Sequence, residues 1–301
     1  MNKGKIMRFK ELMLTYGANK HQKAEILPND KLIDYETSTN LSYGDIVAIA
    51  KGLNLISEFY DVSAACSVKE NGLCSVALGS SISDAIEKIM DSDPINFISS
   101  TIVLSNKVDI NNLKYFKNTN LLVSPEFTNE AKDFMSNKSI RYVEIKTPLK
   151  DYKKYLSEDI IATPLGTLKQ EANLSELDKD TFKVVSKQKP TVEQIEDAVF
   201  AWKVVKHVKS QGVVIAKDLK TSSIAGTITP ASIEYVLDNS CEMTKDAILA
   251  SDMPVSIRDI EILSQGRIGL IIVPSASANV IKIADKYSIS VITTGITNIL
   301  Y

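Results

Sequence analysis

The chain has few of the residues that build metal centres and disulfide frameworks. It holds 301 residues but only three cysteines and two histidines. An odd cysteine count without metal-ligand spacing predicts reduced thiols, as in a cytoplasmic protein, and no disulfide framework. With His21 and His207 as the only histidines, a zinc site of the His/Cys/Cys type is not expected, and we predict no metal site.

Long apolar runs and an excess of either charge are also missing. The sequence has no run of about eighteen apolar residues and no N-terminal apolar core of signal-peptide length. We therefore expect no membrane span and a cytoplasmic location. The 35 Lys and Arg residues nearly balance the 37 Asp and Glu residues, which leaves a net charge of −2. This balance argues against a general nucleic-acid binder.

The composition that remains is that of a globular protein. Hydrophobic residues make up 44% of the chain and charged residues 24%, which is enough to bury a sizeable core. At roughly 150 residues per domain, this length predicts two domains or one large one.

The stretch from Pro190 to Asp218 reads as one helix followed directly by one buried strand. Thr191 is placed to cap the helix, and Gln194 completes a capping box. Gly212 is predicted to end the helix in a left-handed turn, before an all-apolar strand at 213–216. Apolar residues recur along the helix at the three- and four-residue steps of a buried face, namely Ile195, Ala198, Val199, Trp202, Val205 and Val208.

Five lysines crowd the end of this helix and the strand after it, at positions 203, 206, 209, 217 and 220. They could form a positive patch for an anionic ligand, but a solvated helix end is the commoner meaning of such a run. His207 lies among them. We interpret it as a hydrogen-bonding partner of the helix C-terminus and not as a catalytic group.

Strand and helix patterns alternate through the first half as well, which predicts an α/β sandwich. Asn71-Gly72 predicts a turn between two of the strands. The predicted strands lie at 64–68, 73–78, 102–104, 121–124 and 140–145, and the predicted helices at 43–59, 82–90 and 129–135, capped by Ser42, Ser81 and Thr128.

The two halves of the chain look alike. Residues 121–128 have a pattern similar to that of residues 270–277, with Pro274 149 positions after Pro125. Independently, the predicted helix and strand that end at Lys69 resemble those that end at Lys217, 148 positions later. Two segments with nearly the same spacing indicate a duplicated α/β unit.

The junction of the two units is predicted between them, in a polar segment broken by Pro148, Pro164 and Gly166. We therefore divide the chain into a first unit at 1–146, a linker and irregular segment at 147–189, and a second unit at 190–301.

The run F-A-W-K-V-V-K-H-V-K-S-Q at 200–211, leading into V-V-I-A-K-D, also carries a resemblance. It resembles the transformylase domain of the bifunctional purine-biosynthesis enzyme that formylates AICAR, in which F-A-W-K-V-V-K-H-V-K-S-N runs into V-Y-A-K-D. The segment Y-G-A-N-K-H-Q at 16–22 is similar to the R-Y-G-x-N-P-H-Q loop of that family. Shorter matches lie at 41–43, 92–94, 124–127, 250–252 and 294–295. The cyclohydrolase half of the bifunctional enzyme finds no counterpart in this sequence.

This resemblance implies a fold, an activity and an assembly. The fold would be a tandem of two cytidine-deaminase-like αβα units, and the assembly a homodimer. The activity would be formyl transfer from 10-formyltetrahydrofolate, as cosubstrate, to AICAR in de novo purine biosynthesis. Such a reaction needs a group that takes the amine proton and donors that stabilise the oxyanion. The nucleotide phosphate calls for arginines, whose planar fork suits it.

The resemblance also implies a set of site residues. In the family, a K-H-A-N-P-C-G turn supplies the acid and the base, and an asparagine after the long helix assists. The candidate catalytic residues at the matching positions are Lys69, Glu70 and Gln211. The candidate substrate-binding residues are Tyr16, Gly17, Asn19 and Asp93.

The sequence departs from the family pattern where the chemistry is most demanding. Glu70 stands at the position of the family's histidine. Thr15, Ala231 and Thr297 stand where the family has arginines that hold the phosphate. These replacements predict weak or lost AICAR binding and turnover.

Three hypotheses of different kinds follow. The chain could be a divergent AICAR formyltransferase, it could be a non-catalytic homologue that keeps the fold as a binding or interaction protein, or it could be a folate-dependent enzyme that acts on an unphosphorylated amine. Because a fold survives the loss of its site, the resemblance alone does not decide among them.

Overall fold

A computed structural model describes residues 12–14, 16–27, 31–116, 118–177, 182–226 and 229–301, with only the backbone at 12, 13, 229–231, 241 and 242. The helices are α1 Tyr43–Ile56, α2 Ile82–Ser92, α3 Pro94–Phe97, α4 Asn129–Asn137, α5 Val192–Val205, α6 Thr229–Ser240, α7 Ile257–Gln265 and α8 Ala278–Lys286. Short 3-10 helices occupy Ser57–Phe59, Ile110–Tyr115, Leu149–Tyr155 and Cys241–Thr244.

The strands follow the predicted alternation. They are β1 Leu12–Met13, β2 Glu25–Ile26, β3 Tyr35–Thr37, β4 Ser63–Lys69, β5 Gly72–Gly79, β6 Thr101–Leu104, β7 Leu121–Ser124, β8 Tyr142–Ile145, β9 Glu158–Thr163, β10 Gly166–Glu171, β11 Lys183–Val184, β12 Val213–Lys217, β13 Lys220–Ala225, β14 Ile248–Ser251, β15 Leu270–Val273 and β16 Ser290–Thr293. Each strand predicted in the first half is confirmed, with ends that shift by one or two residues.

Twelve of these strands form one continuous sheet, in the order β11-β16-β15-β14-β12-β13-β5-β4-β6-β7-β8-β3. Strands β6, β7 and β8 run parallel to one another, as do β14, β15 and β16, while β4 pairs antiparallel with both β5 and β6. Read outward from its centre, the sheet repeats the same order on each side, so β5 corresponds to β13 and β4 to β12. At the centre, β13 joins β5 through the pairing of Lys220 with Ala77.

Helices cover both faces of this sheet, which makes the fold a three-layer α/β sandwich. One face carries α1 and α5 over a single core that includes Val68 and Val143 from one half and Trp202 and Val214 from the other. The opposite face carries two separate cores, one with residues of α2 and α4 and one with residues of α6, α7 and α8. The predicted α/β class is confirmed, and the two halves share one of their cores.

Helix α5 begins as its sequence predicts. The Thr191 hydroxyl accepts a hydrogen bond from Gln194 N–H, and the Gln194 side chain accepts one from Thr191 N–H, so the capping box is present. Ser42 and Asp45 form the same box at the start of α1, 149 positions earlier. Trp202 is 3% exposed, which confirms its predicted place in the core.

The end of α5 differs from the prediction. The helix ends at Val205, and Gly212 is not among the residues with positive φ. The predicted left-handed turn at Gly212 is therefore wrong. Gly212 instead lies close against the Val208 side chain, 3.1 Å from the position that a Cβ would take.

The middle segment also holds more structure than was predicted. Strands β9 and β10 form a two-stranded hairpin of their own, and β11 pairs antiparallel with β16. The division into units at 1–146, 147–189 and 190–301 stays a prediction.

Candidate functional site

The turn between β4 and β5 carries two of the candidate catalytic residues. Lys69 pairs with Gly72 across the turn, and Glu70 lies between them with a φ of 55°. A side chain in this left-handed conformation costs about 1–2 kcal/mol, so the hairpin holds Glu70 in a strained position. Both side chains are exposed. Among the described residues Glu70 makes no ion pair, with Lys69 or with any other cation.

A hydrogen-bonded chain links Lys69 to a third candidate residue, Asp93. The Lys69 ammonium donates to Asn96 Oδ1 at 3.4 Å, and the Asn96 amide donates to Asp93 Oδ2 at 2.9 Å. Asp93 is also the N-cap of α3, because its Oδ1 accepts from Asn96 N–H at 3.0 Å. The structure thus brings Lys69 and Asp93 together, and Asn96, which joins them, was not singled out in the sequence.

Cys74 lies near the start of β5, the return strand of the same turn. Burial raises the pKa of the Cys74 thiol, and the Asp93 carboxylate raises it further, while a backbone hydrogen bond and the charge of Lys69 and a hydrogen bond from Ser100 oppose the rise without cancelling it. Because the thiolate is the reactive form of cysteine, Cys74 is a poor nucleophile here. The chemistry available at the turn is that of an ammonium, a carboxylate and an amide.

Gln211 is presented by a loop that a buried carboxylate fixes. Asp252 is 0% exposed; one of its oxygens accepts from the Ser210 hydroxyl and the other accepts from Gly212 N–H at 2.8 Å. Burial raises the pKa of Asp252, and these two hydrogen bonds oppose the rise. Ser210 also exchanges hydrogen bonds with Leu300, at 2.9 and 3.0 Å. The residues before and after Gln211 are therefore hydrogen-bonded to Asp252, which directly follows β14, and Ser210 is also hydrogen-bonded to the C-terminal segment.

The Tyr16 loop is a compact turn of its own. Gly17 N–H donates to Gln22 O at 2.7 Å, and the Asn19 side chain donates to Gln22 Oε1 at 2.8 Å. Tyr16 is half-buried, Gly17 is buried and Asn19 is exposed. In the described part of the chain, no hydrogen bond or ion pair joins this loop to the Lys69 turn. Tyr16, Gly17 and Asn19 stay predicted substrate-binding residues.

Two of the three positions that lack arginine lie within the described residues. Thr15 is outside the described residues, Ala231 lies on α6, and Thr297 is exposed in the C-terminal segment. Two arginines are held elsewhere by acids, Arg141 by Asp45 and Arg258 by Glu234.

Four of the five lysines near the end of α5 have partners in the described chain, but only Lys206 and Lys220 pair with acids. Lys217 donates to Lys245 O and Lys220 pairs with Asp91. Lys203 donates to the backbone oxygen of Glu58, and Lys206 pairs with its side chain. Lys209 is exposed and has no side-chain partner among the described residues.

Glu58 is the centre of a buried charge cluster that the sequence did not reveal. Its carboxylate accepts from Lys153 Nζ and Lys206 Nζ, each at 2.9 Å, and lies 3.4 Å from His207 Nε2. Burial lowers the pKa of His207, and the Glu58 carboxylate opposes that shift. The ring of His207 thus faces Glu58 from the other half of the chain. Its predicted role at the helix C-terminus is wrong.

Neither a metal site nor a membrane span is seen in the part of the chain that the structure covers. No three His, Cys, Asp or Glu side chains are grouped there in a way that could hold a metal ion. None of the helices described above combines the length and apolar character that a bilayer-spanning helix needs.

Comparison with known proteins gives one consistent result. Residues 2–228 match the model of the AICARFT/IMPCHase bienzyme family. The chain is 32% identical to the bifunctional purine biosynthesis protein PurH of Caldicellulosiruptor saccharolyticus, 33% identical to that of a Thermoanaerobacter species and 31% identical to that of Fusobacterium nucleatum. Each match covers 94% of this chain and 58% of the relative. The chain therefore spans less than two thirds of the length of these relatives.

Proposed function

We propose, because the chain belongs to the AICARFT/IMPCHase bienzyme family, that it is a divergent formyltransferase-type protein which binds a reduced folate and transfers formyl groups to AICAR weakly or not at all. The observation that carries this proposal is the Lys69 turn. It keeps the lysine and its support from Asn96 and Asp93, but it presents an exposed Glu70. The cosubstrate of such a protein would be 10-formyltetrahydrofolate.

The retained part of the turn supports binding more than catalysis. A lysine ammonium has three N–H donors, and Asn96 engages one of them, so two can point to a ligand. A glutamate carboxylate in water titrates near pH 4.3, far from the neutral range in which histidine exchanges protons. The proposed site can hold an anion or a carbonyl oxygen through Lys69, but it lacks the imidazole that the family pattern places beside that lysine.

Two alternatives remain, each favoured by one observation. The exposed Glu70 favours a non-catalytic binding or interaction protein. The loss of arginine at Thr15, Ala231 and Thr297 favours a folate-dependent enzyme whose amine substrate has no phosphate. Each lost arginine removes a charge-assisted pair worth about 1.5–3 kcal/mol, and three such losses approach the roughly 8 kcal/mol of a micromolar complex.

A thermal-shift and calorimetry panel tests the proposal against both alternatives. The ligands are 10-formyltetrahydrofolate, AICAR, IMP and the unphosphorylated riboside of AICAR. We expect the folate to raise the melting temperature, since a ligand that binds the native state stabilises it. We expect AICAR not to bind at micromolar concentration.

The other outcomes of the panel are equally informative. If none of the four ligands binds or raises the melting temperature, the interaction protein is favoured. If the riboside raises the melting temperature when the folate is present, the enzyme for an unphosphorylated amine is favoured. Micromolar AICAR binding that Lys69→Ala abolishes would contradict the proposal.

A homodimer is the assembly that family membership supports, and the β9–β10 hairpin is a suitable contact for it. The hairpin pairs with no third strand in the described chain, and a lone hairpin is only marginally stable in water. One face presents Ile161 and Leu168, which are 45% and 61% exposed and directly opposite each other. Burial of this face against a second copy would stabilise both hairpins.

Placing charges on this face is therefore expected to break the dimer. Sedimentation of the wild type should give twice the 33.1 kDa mass of the chain, and Ile161→Glu with Leu168→Glu should give the single chain. Thr167→Glu places a charge on the opposite face of the same strand and should leave the dimer intact. A wild type that sediments at 33.1 kDa would refute the dimer, and a dimer that survives the double substitution would refute this contact.

A further inference from the structure

A cavity of about 690 Å³ runs along the outer face of α1 and is not part of the Lys69 network. Helix α1 forms its floor with Val47, Lys51 and Asn54, and the end of α5 contributes His207 and Lys209. Its size lies within the roughly 300–1,000 Å³ of small-molecule sites. The cavity is therefore large enough for a ligand of mononucleotide size.

The charges that line this cavity do not balance. Four lysines face two side-chain carboxylates, Glu58 and Asp159. Glu58 is already saturated by Lys153 and Lys206, and Asp159 accepts from the side chain of Gln170 at 3.3 Å. The other two lysines, Lys51 and Lys209, keep positive charges that no described acid compensates.

Lys51 is the more informative of the two. It is half-buried, and within the described chain it makes no hydrogen bond or ion pair. Burial lowers the pKa of Lys51, as expected for an ammonium that loses water without gaining a partner. Buried charges in proteins are normally paired, so an unpaired lysine on a cavity wall indicates that its counter-ion comes from outside the chain.

The other residues that line the cavity indicate which chemical groups the rest of such a ligand would carry. Apolar groups come from Leu156, Leu300 and Tyr301, and Tyr301 is 83% exposed, so its ring is available for stacking. Side-chain amides come from Asn71 and Asn173. Amides and an aromatic face are the groups that recognise a heterocyclic base, while lysines provide point charges for a phosphate.

We infer that this cavity binds a phosphate-bearing small molecule with an aromatic body, the phosphate lying between Lys51, His207 and Lys209. The ligand supplies the missing negative charge, and neither Lys69 nor Glu70 lines the cavity, although Asn71 of the same turn does. This site is independent of the proposed formyl-transfer function and can exist with or without it.

Calorimetry with three probes tests the inference, using AMP, inorganic pyrophosphate and adenosine. AMP is expected to bind most tightly, pyrophosphate more weakly, and adenosine not measurably. Lys51→Gln should weaken AMP binding at least about tenfold, since a charged hydrogen bond is lost, whereas Lys51→Arg should retain most of it. Lys282→Gln removes an exposed lysine of α8 outside the cavity and should change nothing.

Amine-reactive labelling of the unaltered protein gives a second measurement that does not depend on a variant folding. AMP is expected to protect Lys51 and Lys209 from modification, as read by mass spectrometry, but not Lys282. Three results would each overturn the inference: no saturable binding of AMP or pyrophosphate at millimolar concentration, AMP binding unchanged in Lys51→Gln, or adenosine binding as tightly as AMP. Lys69→Ala is expected to leave AMP binding unchanged, which separates this site from the proposed folate site.

Discussion

Purified protein supplied with 10-formyltetrahydrofolate and AICAR is expected to release tetrahydrofolate at least about a hundredfold more slowly than the relative from Caldicellulosiruptor saccharolyticus. The reason is the pair of residues at the β4–β5 turn. Lys69 is held by Asn96, but Glu70 stands exposed where the family pattern has a histidine. Loss of one general acid or base typically lowers the rate by about 10²- to 10⁴-fold.

The matched variants decide whether any residual rate belongs to this turn. Glu70→His alone should not restore the rate, because the arginines that would grip the phosphate are still replaced. Asp218→Ala is the control, since Asp218 occupies the equivalent place after β12 with a φ of 54°, against 55° for Glu70. A fast reaction that both Lys69→Ala and Glu70→Ala abolish, while Asp218→Ala does not, would show that Lys69 and Glu70 form a working acid–base couple.

Much of the fold could be predicted from local patterns, because those patterns are set by neighbouring residues. The caps at Ser42, Ser81, Thr128 and Thr191 are all present. The apolar face around Trp202 is buried as its spacing predicts. The strand at 158–163 was missed because it lies on a separate hairpin, without the buried apolar run that marks a core strand.

The candidate site was less predictable, because its contacts join residues far apart in the chain. Asn96 reaches Lys69 over 27 positions, and His207 reaches Glu58 over 149. No periodicity connects such residues. One signal was available in the sequence: Glu58 and His207 are separated by the same 149 positions as the repeat, so a duplicated unit predicts that they occupy equivalent places. Their contact was still not predictable, since it depends on how the two halves meet.

The contact between the two halves at Glu58 is expected to contribute much of the free energy of unfolding. Glu58 is 7% exposed, and it receives Lys153, Lys206 and His207 on its carboxylate and Lys203 on its backbone oxygen. Burial alone would raise the pKa of Glu58, but the hydrogen bond from His207, the charge of Lys206 and the hydrogen bonds from Lys153 and Lys206 together outweigh it and hold the pKa well below its usual range. The lowered pKa means that the folded state stabilises the ionised carboxylate.

Acid should therefore weaken the fold through this cluster. A carboxyl group whose folded-state pKa is depressed contributes stability above its unfolded pKa, near 4.3, and loses that contribution as the pH falls toward the folded value. His207, whose pKa burial lowers, adds a loss that starts below about pH 6.5, because the unfolded chain then binds a proton that the folded chain does not. Both terms have the same sign, so stability should decline on acidification from neutral pH.

Glu58→Ala is expected to lower the free energy of unfolding by about 3–5 kcal/mol at neutral pH, because it leaves Lys206 buried without its counter-charge. Glu176→Ala is the matched control, since Glu176 pairs with the same Lys153 at 2.8 Å but its side chain is 74% exposed, and such pairs contribute about 1 kcal/mol or less. Urea denaturation measures the free energy of unfolding of both variants.

The difference in the free energy of unfolding between wild type and Glu58→Ala should narrow below about pH 4, as Glu58 becomes protonated in the unfolded wild type. Replacing Glu58 by Leu together with Lys206 by Met should recover most of the loss, because no buried charge is then left unpaired. Equal effects of Glu58→Ala and Glu176→Ala would show that the contact between the two halves does not depend on this buried carboxylate.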